Sequence, residues 1–281
     1  MSIRTDLVIE SADTGDGKLP SGVDTAVEKR EGLTITRVEI ESEEASLRLG
    51  RPRGRYVTIE GNFDLDQAGR ASGALTETLG SMLPEGPVMV CGLGNTEVTP
   101  DALGPLAASR ILATRHISAE LQEQIGLAEL RPVSVMAPGV LGQTGIETAE
   151  IIGSVAEDIA PASLIVVDAL AARSVTRLGN TIQVSNTGIA PGAGVKNTRK
   201  ELSMTTLGIP VIAVGIPTVV DGSTLVQDLT GSEAGEEAAH LMVTPRDIDA
   251  IIDRGASLIA RGINMALQPT LDDESIGYLM S

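Results

Sequence analysis

Two aspartates of this 281-residue chain stand where an α/β protein does chemistry. Asp168 ends the run SLIVVD, directly after four apolar residues, and Asp101 follows PVMVCGLG through a loop closing on TPD. In open α/β sheets, ligands bind beyond the carboxyl ends of the strands. The two positions lie 168 − 101 = 67 residues apart, about two βα units, so both can reach one crevice. Two carboxylates that share a site cannot both ionise readily, so one keeps a proton. The ionised partner activates a water, and the protonated one polarises or protonates the scissile group. That is acid–base hydrolysis without a side-chain nucleophile or a metal. The same residues also read as helix caps. Thr99-Pro100-Asp101 is a good helix start, and Asp168 can open a helix over DALAARS. Both readings stand on residue chemistry alone.

Other chemistries fail on spacing. GLGNTE (92–97) begins like a dinucleotide fingerprint, but Glu97 takes the third glycine's place and would repel a pyrophosphate. PGAGVKN (191–197) offers Gly192, Gly194 and Lys196 without the G-K-[ST] that closes a phosphate loop. Neither G-x-S-x-G nor H-E-x-x-H occurs. Cys91, inside PVMVCGLG, reads as a buried, inert strand thiol; one cysteine excludes an internal disulfide or a multi-cysteine metal cluster. His116 and His240 leave little for a histidine-built zinc site, and His116 reads as a helix-end or interface residue. Glu147 reads equally as a first-turn glutamate, and Arg173 and Arg177 as surface cations or partners of surplus acid. Neither a cofactor nor a metal is expected.

The elements that must position the aspartates follow from periodicity. TITRVEIE (34–41) and RYVTIEG (55–61) alternate as neighbouring strands joined through Arg-Pro-Arg-Gly at 51–54, and a helix is expected over 64–82. Continuous apolar runs at 87–94, 132–139, 163–169, 181–185 and 210–217 predict strands covered on both faces. Helices are expected at 102–113, 146–158, 198–206 and 245–266, the last with Thr244 as N-cap, Pro245 at the first helical position and Asp247 in the first turn. This order predicts an α/β fold: a doubly wound, largely parallel sheet flanked by helices, with additional N-terminal strands. Residues 1–32 read as an extended, partly mobile leader apart from the apolar patch Leu7–Val8–Ile9.

Composition narrows the partners. The 21 basic against 38 acidic residues give 21 − 38 = −17, which argues against direct nucleic-acid or anionic-membrane binding. Hydrophobic residues make up 42%, so a disordered acidic chain is excluded. With two Tyr, one Phe and no Trp, aromatic stacking platforms are poor candidates and the core must be aliphatic. The start MSIRTDLVIE lacks an apolar signal core, and no run approaches the ~18 apolar residues of a membrane span, so a reducing, cytoplasmic compartment is the expectation.

Read as long segments, these motifs belong together. ITRVEI and GRPRGRYVTIE, GLGNTEVTPDALGP (92–105), TRHI (114–117), RPVSVMAPGVLGQTGIETAEII (131–152), VVDALAARSVTRLGNTIQVSNTGIAPGAGVKNTRKEL (166–202), TLGIPVIAVGIPTVVD (206–221) and MVTPRDIDAIIDRGASLIARGINMALQP (242–269) closely resemble the germination proteases of spore-forming bacteria, in order along nearly the whole chain. The resemblance implies an endopeptidase that degrades small acid-soluble spore proteins at the start of germination. It implies a self-processing zymogen of the developing spore, a location in the spore core, a homotetramer, and a fold like that of the hydrogenase maturation peptidases. The family's two proposed catalytic aspartates fall in TPDALG and VDALAARS, here Asp101 and Asp168.

Family precursors lose a short leader in a segment like RTDLAVEA; this chain reads Arg4-Thr5-Asp6-Leu7-Val8-Ile9-Glu10. The expectation is cleavage between Asp6 and Leu7, which makes residues 1–6 a propeptide and 7–281 one peptidase domain. Read plainly, IRTDLVIE is also an edge strand. The sequence departs from the family at Gln268, at Ser185-Asn186, at Met204-Thr205 and in a compact 222–241 segment. Two alternatives to the aspartate peptidase are a metal-assisted maturation-type peptidase, in which these carboxylates hold a divalent ion, and a non-catalytic ligand-binding protein with a doubly wound sheet.

Overall fold

The computed structural model describes residues 5–12, 20–124, 127, 130–192, 200–232, 235, 237–238 and 241–280. Among them, strands β1 (Val23–Arg30), β2 (Leu33–Ile40), β3 (Gly54–Glu60), β4 (Val88–Gly92), β5 (Val133–Met136), β6 (Ser163–Ala172), β7 (Thr181–Ser185), β8 (Val211–Asp221) and β9 (Met242–Val243) form one sheet. Its order is β1-β2-β3-β7-β8-β6-β4-β5, with β9 added to the end of β8. The helices are α1 (Val8–Ala12), α2 (Glu43–Leu49), α3 (Leu65–Gly80), α4 (Leu103–Ala108), α5 (Ala119–Gln124), α6 (Leu141–Thr144), α7 (Thr148–Ile159), α8 (Met204–Leu207), α9 (Gly222–Thr230), α10 (Ile248–Leu267) and α11 (Asp273–Leu279).

Strands β5, β4, β6 and β8 run parallel and are apolar at nearly every position, since helices cover both faces. Alternation divides the core. Val88, Val90, Ile165, Val167, Ile212 and Val214 face α3, α4 and α10, whereas Met89, Cys91, Leu164, Val166 and Val211 face α7. A third cluster on the second face packs Leu7 of the N-terminal segment against Leu170, Ala172, Leu178 and Val220. The second face therefore carries whatever the strands present beyond the α7 packing.

The α/β class and the N-terminal strands are as expected, but the sheet is mixed rather than largely parallel. The β6–β7 connection holds only residues 173–180, shorter than the dozen or so a parallel crossover needs, so β7 returns antiparallel to β8 and pairs with β3 on its other side. Residues 20–32 are not a loose leader. They contribute β1, which closes a two-residue hairpin onto β2 through Glu31 and Gly32, both at positive φ (52° and 82°). Residues 13–19 lie outside the described part.

The link between β2 and β3 holds α2, capped by Ser42 and ended by Gly50, upstream of the Arg-Pro-Arg-Gly segment. The helix expected at 245–266 starts at Ile248, because Thr244 donates its hydroxyl to the Thr218 carbonyl at 2.9 Å instead of capping. Of the helix expected at 198–206, α8 is described; 193–199 lie outside the described residues.

Candidate active site

Asp168 sits within β6, not at its end: the strand runs on to Ala172, so the helix DALAARS does not form and Asp168 caps nothing. Strand alternation puts its side chain on the second face, with Leu164, Val166 and Leu170. It is 6% exposed, and the Ala169 N–H donates to its Oδ1 at 2.9 Å. Burial first, then the neighbouring Asp101 and then Asp6, hold this carboxyl well above the usual carboxylate range; the Ala169 bond opposes them weakly. Asp168 therefore carries a proton where an ordinary aspartate has lost it.

Asp101 reaches the same place from β4. The strand ends in Gly92-Leu93-Gly94, and a one-turn 3-10 helix, Thr99–Asp101, leads into α4. Its N-cap is Val98 without a side-chain bond, so the expected Thr99 cap is absent. Close backbone packing fixes the approach. A Cβ on Gly104 would lie 2.2 Å from the Leu93 carbonyl oxygen and 2.4 Å from that of Val167, and a Cβ on Gly94 would lie 1.9 Å from the Asp101 carbonyl oxygen. The Asn95 N–H donates to that same carbonyl at 3.2 Å. Asp101 and Asp168 share one cavity of ≈ 390 Å³, walled by Leu170, Ile189 and Gly192. Asp6 is the third carboxylate on its lining.

The N-terminal segment lies along this cleft. The Asp6 N–H donates to the Ala171 carbonyl at 2.8 Å, and the Ala171 N–H donates back to Asp6 Oδ2 at 2.8 Å. Gln183 on β7 donates from Nε2 to the Asp6 carbonyl at 2.7 Å and accepts the Val8 N–H at Oε1 at 2.6 Å. Leu7 is fully buried in its apolar pocket. Burial of a leucine side chain contributes about 1.5–3 kcal/mol.

Glu10, also buried, accepts the Arg173 N–H (2.8 Å), the Ser174 N–H (3.1 Å), Arg177 Nε (3.1 Å) and the Thr5 hydroxyl. Arg51 donates to the Thr5 carbonyl and to Ser11 Oγ. Asp6, Arg51, Tyr56 and Gln183 also line a second cavity of ≈ 190 Å³, which shares Asp6, Leu170, Ile189 and Ala190 with the first. The cleft thus continues on both sides of Asp6.

Sequence reasoning brought Asp101, Asp168, Asp6 and Leu7 forward; the first three line one cavity, and Leu7 is buried against Leu170 of its wall. It missed Gln183 as a group of the site. The signal was present: in TIQVS, Gln183 is the polar residue between buried Ile182 and Val184 on an inner strand. It also missed Glu10 as an anchor, and Arg177 proves to be a partner of acid, bonding both Glu10 and Glu60. Cys91 is buried, and burial pushes its thiol up, as an inert strand cysteine requires. His116 is exposed and lines neither cavity; Glu147 is the N-cap residue of α7, without a side-chain capping bond.

Gln268, one of the departures, is a structural tie: it accepts the Arg131 N–H at 3.0 Å and donates to the Arg131 carbonyl at 2.8 Å. His240, Gly194 and Lys196 lie outside the described residues. Among the described residues, no group of three or more His, Cys, Asp or Glu is arranged to hold a metal ion, and no helix is long and apolar enough to cross a membrane.

The family model of the germination proteases matches residues 5–231. The germination protease of Caldanaerobacter subterraneus subsp. tengcongensis is 40% identical over an alignment covering 100% of this chain and 98% of that protein. That of Clostridium perfringens is 39% identical, covering 100% and 99%. That of Priestia megaterium is 35% identical, covering 98% and 96%. Among solved structures, a [NiFe] hydrogenase maturation protease from Thermococcus kodakarensis aligns with 66% of this chain and 98% of its own, at 16% identity and a TM-score of 0.37. A buried aspartate cleft and full-length identity of this order lead to one conclusion: the chain belongs to the germination protease family and is a peptidase.

Proposed function

We propose that this peptidase is an aspartate-dependent endopeptidase made as a self-processing zymogen, with Asp101 as base and Asp168 as acid. The observation that carries the reading is the shared cavity of Asp101 and Asp168, with the Asp6–Leu7 segment docked beside it. Asp168, held protonated by burial and by its acidic neighbours, supplies the proton. Asp101, the more exposed of the two, takes one from water. Water oxygen bonds to the scissile carbonyl carbon, the C–N bond breaks, and the Asp168 proton leaves on the new amine. Charge and atoms balance without a covalent enzyme intermediate.

The same placement supports self-processing. Residues 1–6 are the propeptide, and residues 7–281 are the peptidase. The docked segment keeps the precursor silent by filling the cleft its substrates need. The substrates in this reading are the small acid-soluble spore proteins, consumed in the spore core at germination, and the working assembly is a homotetramer; the resemblance to the germination proteases supports both. The enzyme meets DNA only through the proteins it removes, in keeping with its net charge of −17.

The test is cleavage of a purified small acid-soluble spore protein by enzyme carrying Asp101→Asn or Asp168→Asn. Each variant should lose about 10²–10⁴-fold in rate, the range of general acid–base catalysis, while keeping the wild-type melting temperature or exceeding it. Wild-type rates in both variants would contradict the reading. Treatment with a chelator should leave the wild-type rate unchanged; loss of activity restored by a divalent ion would favour the metal-assisted alternative.

A further inference from the structure

We propose that Gln183 is a catalytic residue of this protease: its side-chain amide holds the scissile carbonyl and stabilises the negative charge that develops on it. The inference rests on the proposed cleavage between Asp6 and Leu7. Gln183 uses both ends of its amide on the backbone around that bond. Nε2 donates to the Asp6 carbonyl at 2.7 Å, which is the oxygen that becomes the oxyanion when water attacks. Oε1 accepts the Val8 N–H at 2.6 Å, beyond the leaving nitrogen of Leu7. A single rigid group therefore fixes the peptide on both sides of the bond to be broken.

The sheet explains why this group can act with Asp168. Gln183 on β7 is in register with Gly215 on β8, and Gly215 with Asp168 on β6. Registered residues point to one face of a sheet, and adjacent strands lie about 4.8 Å apart, so the two side chains rise from one row about 10 Å apart. Gly215 between them has no side chain. A Cβ there would lie 2.6 Å from the Asp168 carbonyl oxygen and 2.6 Å from Leu170 Cγ. The row thus reads amide, gap, carboxyl, with Asp6 seated over it and bonded to Ala171. Water adds to the Asp6 carbonyl carbon, and the carbonyl electrons move onto the oxygen held by Nε2. They return as the C–N bond breaks, and the proton from Asp168 goes to the Leu7 nitrogen.

A docking clamp and an oxyanion donor differ in what they change. Loss of a donor to a developing oxyanion lowers kcat by about 10²–10³-fold, whereas loss of a clamp raises KM. The experiment uses the full chain with Gln183→Glu, which keeps the size of the side chain but removes the donor, and Gln183→Met, which is uncharged and of similar length. Two rates are measured: first-order appearance of the Leu7 N-terminus by intact mass, and kcat and KM on a peptide of residues 3–12 added to processed enzyme.

The expected result is a 10²–10³-fold fall in the first-order rate and in kcat for both variants, with KM little changed. The ratio of Gln183→Glu to wild-type rates should rise toward acid, as the new carboxyl gains a proton and regains a donor. That recovery is one a folding defect does not produce. Wild-type kcat in either folded variant, or loss through KM alone, would overturn the proposal while leaving the aspartate reading intact. Absence of cleavage between Asp6 and Leu7 in the wild type would instead remove the reading on which it rests. A variant that melts below the assay temperature is replaced by the other, whose outcome then decides.

Discussion

At the scale of residues, one carboxyl stands apart. Asp168 is buried among acids, and its proton is bound more tightly in the folded than in the unfolded chain, where its pKa is about 3.9. Above that value the unfolded chain has released a proton that the folded one keeps, so stability falls as pH rises through the window from about 4 to the raised folded value. Asp168→Asn removes this penalty. Its melting temperature should match the wild type near pH 4 and exceed it increasingly toward neutrality; parallel curves would mean that the carboxyl titrates normally. Asp6 adds to the upward push, so Asp6→Asn should lower the Asp168 pKa, read by ¹³C titration of its carboxyl. An unchanged or higher value would place Asp6 outside its field. Both aspartates were legible as acids following apolar strand runs, but which one holds the proton was not. That depends on burial, and burial belongs to the assembled sheet.

At the scale of elements, glycines decide where Asp101 stands. Gly104 lets α4 press its backbone onto Leu93 at the end of β4 and Val167 in the middle of β6, and no side chain fits there. Gly104→Ala should cost about 1–3 kcal/mol in urea unfolding, as overpacking does, and should lower kcat about 10²-fold through displacement of Asp101. Gly73, inside α3 with nothing within 4 Å of its Cβ position, is the control: Gly73→Ala should gain about 0.5–1 kcal/mol and leave activity alone. Equal effects at the two positions would refute the packing argument. The strands of the parallel half were legible because runs such as SLIVV need cover on both faces. The antiparallel half was less so. β1 exposes most of its side chains, and its hairpin turns on Glu31 at positive φ, a conformation that side chain seldom announces. The strand character of DALAA was hidden as well, since alanines and a leucine favour a helix locally and only pairing with β8 overrides them.

At the scale of the whole molecule, the N-terminal segment is held by the Leu7 pocket, by the bonds of its buried Glu10 to Arg173, Ser174 and Arg177, and by the Gln183 amide. In the proposed zymogen, docking and silencing are one event. The proposed homotetramer should sediment at about four times 29.1 kDa; a monomeric mass at micromolar concentration would refute that assembly. In the proposed mechanism the aspartate pair cuts the chain's own Asp6–Leu7 bond, and the direct measurement is intact mass over time on purified full-length protein. The wild type should convert to a species beginning at Leu7, lighter by residues 1–6, while Asp101→Asn and Asp168→Asn keep their full mass over the same period. Conversion of either variant at the wild-type rate, or an active wild-type enzyme that retains Met1–Asp6, would contradict the account.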